Sequence, residues 1–527
     1  MDFEFIYKSQ RMPVMAENIV ASSQPLAVQA GLDILRQGGN AVDAAIATAI
    51  TLAVVEPTSN GIGSDAFCIL WDGKELRALN ASGRSAKDLD ISRFATLDKM
   101  PLRGWDVVTV PGAVSAWVEL SDKFGLLDFK DLFSAAINYA ENGFMVSPIT
   151  ARAWSKSAPI FANFPEFAKT FLINGSAPKA GELFKNPKQA QTLRLIAQSK
   201  GEAFYKGELA QKIVTDAKKH HAAMSLSDLA EHKAEWVETI SQNYNGIELH
   251  EIPPNGQGLA ALIALGILKH HNISQYPVDS IDSLHLQIEA MKLAFADIYQ
   301  YLADQEFMDI RAEDLLDEGY LKQRAKLIDM DKAQDPKYGM PQKAGTVYLT
   351  TADKNGMMVS FIQSNYHGFG SGIVIPETGI SMQNRGSGFS LINGHPNQVA
   401  AGKRPFHTII PAFVTKDKQP LISFGVMGGP MQAQGHVQMV IRIIDYNQNP
   451  QTASDAPRWQ VLQGLELAIE DGFTAEVLAG LEHRGHKLHL SELNANFAFG
   501  GAQIIYNTDS GYIAASDSRK DGQAAGF

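Results

Sequence analysis

One cysteine in 527 residues, Cys68, leaves no partner for an intrachain disulfide and excludes a thiolate zinc site. It lies in the apolar run Ala66-Phe67-Cys68-Ile69-Leu70 and reads as a buried structural thiol. No run of five or more Lys or Arg occurs, and a formal net charge of −11 argues against non-specific nucleic-acid binding. The most apolar helix candidate, Ala41 to Val55, is too short to span a bilayer and includes Asp43, so a fully buried core helix is expected. Met1-Asp2-Phe3-Glu4-Phe5 has acids where a signal peptide carries positive charge, and no apolar run follows, so a cytoplasmic protein with no membrane partner is expected. Gly61 and Gly63 make neither a dinucleotide nor a P-loop fingerprint. Gly368-Phe369-Gly370-Ser371-Gly372 is out of register for a serine-hydrolase elbow. The pairs His220-His221 and His270-His271 lack metal-ligand spacing, so neither a metal nor another cofactor is implied.

What is present is ordinary globular material, 45% hydrophobic and 20% charged, with neither internal repeat nor low-complexity tract. Helices and strands alternate at first: Pro25 and Asn40 open two helices, and a Gly-rich loop, residues 58–65, leads into a strand to Trp71. A turn then presents Arg84. Asp128 is placed to cap a later helix. The middle, roughly 150–330, is helix-dominated; from Ile281 to Leu302 one apolar face is marked, with His285, Glu289 and Lys292 on the neighbouring, less buried face. Residues 329–345 read as an exposed loop. Two β-rich runs then flank Asn355-Gly356, which predicts a type I′ hairpin. Thr346 opens that hairpin straight after Gly345. Further on, the strand Leu421 to Met427 runs into Gly428-Gly429-Pro430 and a helix, a junction whose free N–H groups suit a developing oxyanion. The order predicts a layered α+β architecture.

The chain resembles the γ-glutamyltransferase family of N-terminal nucleophile (Ntn) hydrolases over nearly its whole length. The resemblance rests on Ser-Gln-Pro-Leu-Ala (23–27), Gly-Gly-Asn-Ala-Val-Asp-Ala-Ala (38–45), Glu-Pro…Gly-Ile-Gly (56–63), Val110-Pro111-Gly112 and the helix His285 to Asp297. It continues through Gly345-Thr346, Phe369-Gly370-Ser371-Gly372, Gly402-Lys403-Arg404-Pro405, Met427-Gly428-Gly429 and Ser516 to Gly522. It implies an αββα four-layer sandwich, two stacked antiparallel sheets flanked by helices. It implies autocatalytic cleavage between Gly345 and Thr346, giving a large subunit, 1–345, with the helical middle, and a small one, 346–527. These form one Ntn-hydrolase domain, with further homodimerisation an open option. Gly345 has no Cβ to obstruct approach of the Thr346 hydroxyl to its carbonyl. After cleavage Thr346 carries nucleophile and base in one residue. Ser364 stands where the family has a threonine bonded to the nucleophile, and Gly428 and Gly429 match its oxyanion glycines. The implied reaction is cleavage of γ-glutamyl, glutathione-type amides through a Thr346 acyl-enzyme, with water or an amino-acid or peptide amine as acceptor.

The departures bear on substrate. Gly388 replaces the aspartate that holds an α-ammonium in transpeptidases, Arg385 replaces the neighbouring glutamine, and His407-Thr408 replaces a Ser-Ser pair that holds the α-carboxylate. Asn365-Tyr366-His367 departs from Asn-Thr-Thr, and Arg84 lies two positions from where the family's carboxylate arginine falls. Two readings follow. Arg385, with Arg84, His407 and Thr408 around it, grips a carboxylate-bearing acyl group such as glutaryl. Alternatively Arg385 pairs with a protein carboxylate and the enzyme acts on glutathione. A reading from another class, a non-catalytic relative serving as a binding module, is opposed by the joint presence of Gly345, Thr346, Ser364, Gly428 and Gly429.

Overall fold

The computed structural model describes residues 10–336, 345–491 and 497–527. Of the expected loop, 329–345, residues 337–344 lie outside the described residues. Two seven-stranded sheets organise the chain. One runs in the order Gln523–Gly526, Ile19–Ser22, Gly345–Ala352, Met358–Tyr366, Asp65–Trp71, Leu76–Asn80, Glu235–Val237. The other runs Val14–Ala16, Gly511–Ser516, Ala502–Thr508, Gln419–Val426, Ala412–Lys416, Ile247–Glu251, Ile240–Tyr244. All neighbours within each are antiparallel.

Period-2 alternation shows how the layers stack. Phe67 and Ile69 join Tyr348, Ile362, Phe413 and Ile505 in the core between the sheets. Ala66, Cys68 and Leu70, on the opposite face, pack under the helices Pro25–Arg36 and Ala41–Val55. Helices Gly258–Leu268, Ile281–Tyr301 and Met431–Ile444 cover the second sheet's outer face. Helix, sheet, sheet, helix is the expected four-layer sandwich. The Ala41–Val55 helix is buried throughout, its N-terminus fixed by a reciprocal Asn40–Asp43 capping box. No helix among the described residues is long and apolar enough to cross a membrane.

Four local readings need correcting. The central hairpin turns through Asp353 to Met357, not through a type I′ turn. Gly356 alone has positive φ, at 92°, and its N–H donates to Asp353 O at 3.0 Å. The helical middle also contributes three strands, Glu235–Val237, Ile240–Tyr244 and Ile247–Glu251, shared between the sheets. Asp128 makes no side-chain cap, and a 3₁₀ turn, Phe129–Phe133, precedes the helix Ser134–Asn142. His285, Glu289 and Lys292 are buried, because the chain at 329–334 folds back over them. His285 pairs with Asp329 O at 2.8 Å, and Glu289 accepts the Gln334 N–H at 3.2 Å.

Candidate active site around Thr346

The pairing of Gly345–Ala352 with Met358–Tyr366 slips at its open end. Val347 faces Gln363 and Gly345 faces Tyr366, so Thr346 alone lies opposite two residues, Ser364 and Asn365. This bulge re-aims the side chains around it. Tyr366 leaves the strand at φ 77° and its N–H donates to Ser364 Oγ at 2.8 Å. Asn365 is locked by its N–H on Ser59 O at 3.1 Å and its Nδ2 on Ser381 Oγ at 3.0 Å.

Thr346, wholly buried, is held at its hydroxyl from two sides. It donates to Ser364 Oγ at 3.3 Å and accepts from Gln432 Nε2 at 3.3 Å. Gln432 sits in the first turn of the helix Met431–Ile444, and its Oε1 accepts the Ile410 N–H at 3.0 Å. The Gly-Gly junction lies just before that helix. Gly428 and Gly429 have φ of 115° and 62°, which reserves both positions for glycine. Their N–H groups donate to no acceptor among the described residues. Gln257 Nε2 fixes the loop by donating to Gly429 O at 2.8 Å and also to Thr408 O.

Arg385 is fully buried with its guanidinium 4.7 Å from the Tyr366 ring centroid. Nη1 donates to Thr408 Oγ1 at 2.9 Å, while Nε and Nη2 have no hydrogen-bond partner. Burial pulls its pKa down to about 10 against the opposing pull of Asp65. The nearest acid is thus felt but not paired, and the alternative of a partnering protein carboxylate is not met by the described residues. The other predicted ligands are placed differently. His407 is buried with Nδ1 accepting the Ile409 N–H at 3.4 Å, so Nε2 donates to Asp65 Oδ2 at 3.2 Å. Burial, with Arg385 and Arg404 nearby, holds that imidazole well below its ordinary pKa. Arg84 is drawn away by ion pairs to Asp304 at 2.8 Å and Glu306 at 3.2 Å. It acts as a strut between segments, not as a second grip on an acyl group.

Sequence reasoning passed over Asp65, Gln257 and Gln432. Asp65 lies directly across from Ser364 on the adjacent strand, and its Oδ1 accepts the N–H groups of Gly83 at 3.3 Å and Gly112 at 3.1 Å. Burial nevertheless raises its pKa to about 7. An acid opening an apolar strand after a Gly-rich loop was the signal available for it; neither glutamine carries any signal beyond its type. Elsewhere, His285, Glu289 and His486 lie close enough to share an ion, but the Lys292 ammonium already sits 2.5 Å from Glu289 and the two imidazoles bond at 2.9 Å. The C-terminal string Ser516 to Gly522 forms buried ion pairs, Arg458–Asp517 and Arg519–Glu470, and so braces the fold.

A gamma-glutamyltranspeptidase family model matches residues 27–527. The glutathione hydrolase-like YwrD proenzyme of Bacillus subtilis is 37% identical, over 97% of this chain and 98% of its own. The oxamate amidohydrolase proenzyme of Klebsiella pneumoniae is 34% identical, over 98% and 99%. The crystal structure of a cephalosporin acylase from Bacillus halodurans superposes with a TM-score of 0.96 at 46% identity, covering 100% of this chain and 99% of that one. The chain belongs to the γ-glutamyltranspeptidase family and is a self-processing amidohydrolase of the Ntn type.

Proposed function

We propose that this γ-glutamyltranspeptidase-family enzyme cuts itself between Gly345 and Thr346 and then hydrolyses amides whose acyl group ends in a carboxylate. In the precursor the Thr346 hydroxyl oxygen attacks the Gly345 carbonyl carbon. The Gly345–Thr346 C–N bond breaks as the acyl group moves to oxygen, and water then hydrolyses the ester. Residue 345 gains a carboxylate and Thr346 a free α-amine. That amine, with an ordinary pKa of about 7.7–8.0, takes the hydroxyl proton as Oγ1 attacks a substrate carbonyl. The N–H groups of Gly428 and Gly429 face the oxyanion, and Gln432 and Ser364 hold the nucleophile between them. The amine half leaves with a proton, and water or a second amine takes the acyl group from Thr346.

The observation that carries the acyl preference is the buried Arg385 guanidinium with two unpartnered nitrogens. A buried charge left so is costly, and a bidentate carboxylate supplies what it lacks. Relatives named as a hydrolase, an amidohydrolase and an acylase support the reaction type. The test compares purified enzyme on glutaryl, γ-glutamyl and pentanoyl 4-nitroanilides. Glutaryl should be preferred over pentanoyl by about 10- to 150-fold in kcat/KM, the span of one charged hydrogen bond, and Arg385→Met should erase that preference. Higher efficiency on γ-glutamyl than on glutaryl overturns the acyl assignment. A wild-type preparation that stays one band on a denaturing gel, like Thr346→Ala, overturns the nucleophile.

A further inference from the structure

The proposed role of Arg385 accounts for the acyl half of a substrate only. The amine half must depart before water reaches the ester, which requires a route that stays open. Next to Tyr366 in the chain, at His367-Gly368, begins a cleft of about 360 Å³ that is also lined by Thr58-Ser59 and the segment from Ser157 to Phe161. It adjoins the nucleophile through the backbone. Ser59 O holds the Asn365 N–H at 3.1 Å, Asn365 faces Thr346 across the bulge, and the His367 ring meets Tyr366 edge-on with centroids 4.0 Å apart.

The charges lining this cleft do not balance. Its acids are committed: Glu56 pairs with Lys520 at 3.1 Å, and Asp521 accepts the first N–H groups of the helix Pro148–Ser157, from Ile149 at 3.0 Å and Thr150 at 2.8 Å. Its other cations are unanswered. Arg103 donates from Nη1 only to the Leu102 carbonyl at 2.9 Å, its Nε is buried without a partner, and its guanidinium lies 4.8 Å from the Phe161 ring centroid. Lys156, exposed at the rim, forms no ion pair among the described residues. His367 is 8% exposed, and its Nε2 is buried with no partner. Burial beside Arg103 and Arg385 keeps that imidazole uncharged, with a pKa near 3.

We propose that this cleft is the subsite for the leaving amine, and that it takes amines bearing a carboxylate, bound by Arg103 with His367 Nε2 beside it. The Phe161 face under Arg103 offers such an amine an apolar wall. The same place would receive an acceptor amine in transfer. The inference rests on the Thr346 acyl-enzyme reading, and its test separates the two.

The probes are glutaryl anilide and glutaryl 4-aminobenzoate amide, which share an acyl group and ring and differ by one carboxylate on the amine. Wild type should favour the 4-aminobenzoate amide by about tenfold in kcat/KM. Arg103→Met, which keeps the stem over Phe161, should bring that ratio close to one. Free 4-aminobenzoate should bind wild type in calorimetry and lose about tenfold in affinity with Arg103→Met. A ratio equal in both proteins overturns the subsite while leaving Thr346 in place. If wild type cleaves neither amide, the Thr346 reading falls and calorimetry alone decides the cleft, with equal or absent binding overturning it.

Discussion

Replacing Gln432 by methionine removes one donor from the Thr346 hydroxyl while nearly preserving side-chain volume. In the resting site the bond is long, 3.3 Å from Gln432 Nε2 to Thr346 Oγ1. It gains value as the oxygen acquires charge, both when it attacks and when it leaves the acyl-enzyme. A hydrogen bond to a charged oxygen contributes about 1.5–3 kcal/mol, so kcat should fall about 10- to 150-fold with little change in KM. Self-cleavage uses the same oxygen, so the two bands should replace one more slowly by a similar factor. The methionine also orphans the buried Ile410 N–H, held at 3.0 Å by Gln432 Oε1, at a stability cost of about 1–3 kcal/mol. Gln432→Glu separates the two effects, since its carboxyl keeps an acceptor for Ile410 while losing the amide donor. The assays are a time-resolved denaturing gel, steady-state kinetics and thermal melting. A methionine variant that matures and turns over within twofold of wild type would refute the role.

Two further outcomes follow from buried charges. Asp65, its pKa raised to about 7 chiefly by burial, lies within the fields of Arg385 and Arg404 and bonds neutral His407, while Tyr366 flanks Arg385. Below pH 7 a protonated Asp65 leaves Arg385 uncompensated, and above it the carboxylate opposes an incoming anion; KM for glutaryl anilide should therefore rise with pH through about 7, while KM for pentanoyl anilide stays flat. The linkage has the same sign: Asp65's stabilising contribution is complete below the unfolded carboxylate pKa and is lost as pH rises through the folded value. Arg458→Met leaves Asp517, whose carboxyl Arg458 and Arg519 hold below its usual range, with a buried charge only half answered. A loss of about 3–5 kcal/mol is expected in denaturant unfolding of the unprocessed Thr346→Ala chain, and a change under 1 kcal/mol would contradict it.

The layers were legible because alternation and capping are local. Ala41–Val55 is a capped, uniformly apolar helix, and Asp65–Trp71 alternates between two cores. What was not legible came from contacts distant in sequence. Asn-Gly promised a two-residue turn, but Asp353 is tied by its Oδ2 to the Ala41 N–H at 2.8 Å and by its Oδ1 to the Asn355 N–H at 2.8 Å, which lengthens the loop. Periodicity put His285, Glu289 and Lys292 at the edge of the apolar face, and only the return of residues 329–334 buries them. Arg385 was visible as a departure from the family's pattern, whereas its lack of partners needed coordinates. Arg84 shows the converse, since nothing near it in sequence announces Asp304 and Glu306.

On the proposed reading, catalysis and specificity meet at Tyr366, which follows Asn365 and stands where the family's Asn-Thr-Thr pattern has its first threonine. A non-glycine residue in the left-handed region costs on the order of 1 kcal/mol or more, and here φ is 77°. That conformation does three things at once. It carries the backbone N–H onto Ser364 Oγ, sets the ring under Arg385, and places the ring nearly perpendicular to that of His367, which lines the cleft. If Arg385 and Arg103 hold the two halves of the substrate as proposed, a change at Tyr366 should act on the nucleophile's partner and on both halves together, whereas changes at Arg385 and Arg103 should each act on one. The bulge opposite Thr346 is what makes this possible. With an unbroken register Thr346 would face one residue, and Ser364 and Asn365 would not both be turned toward it.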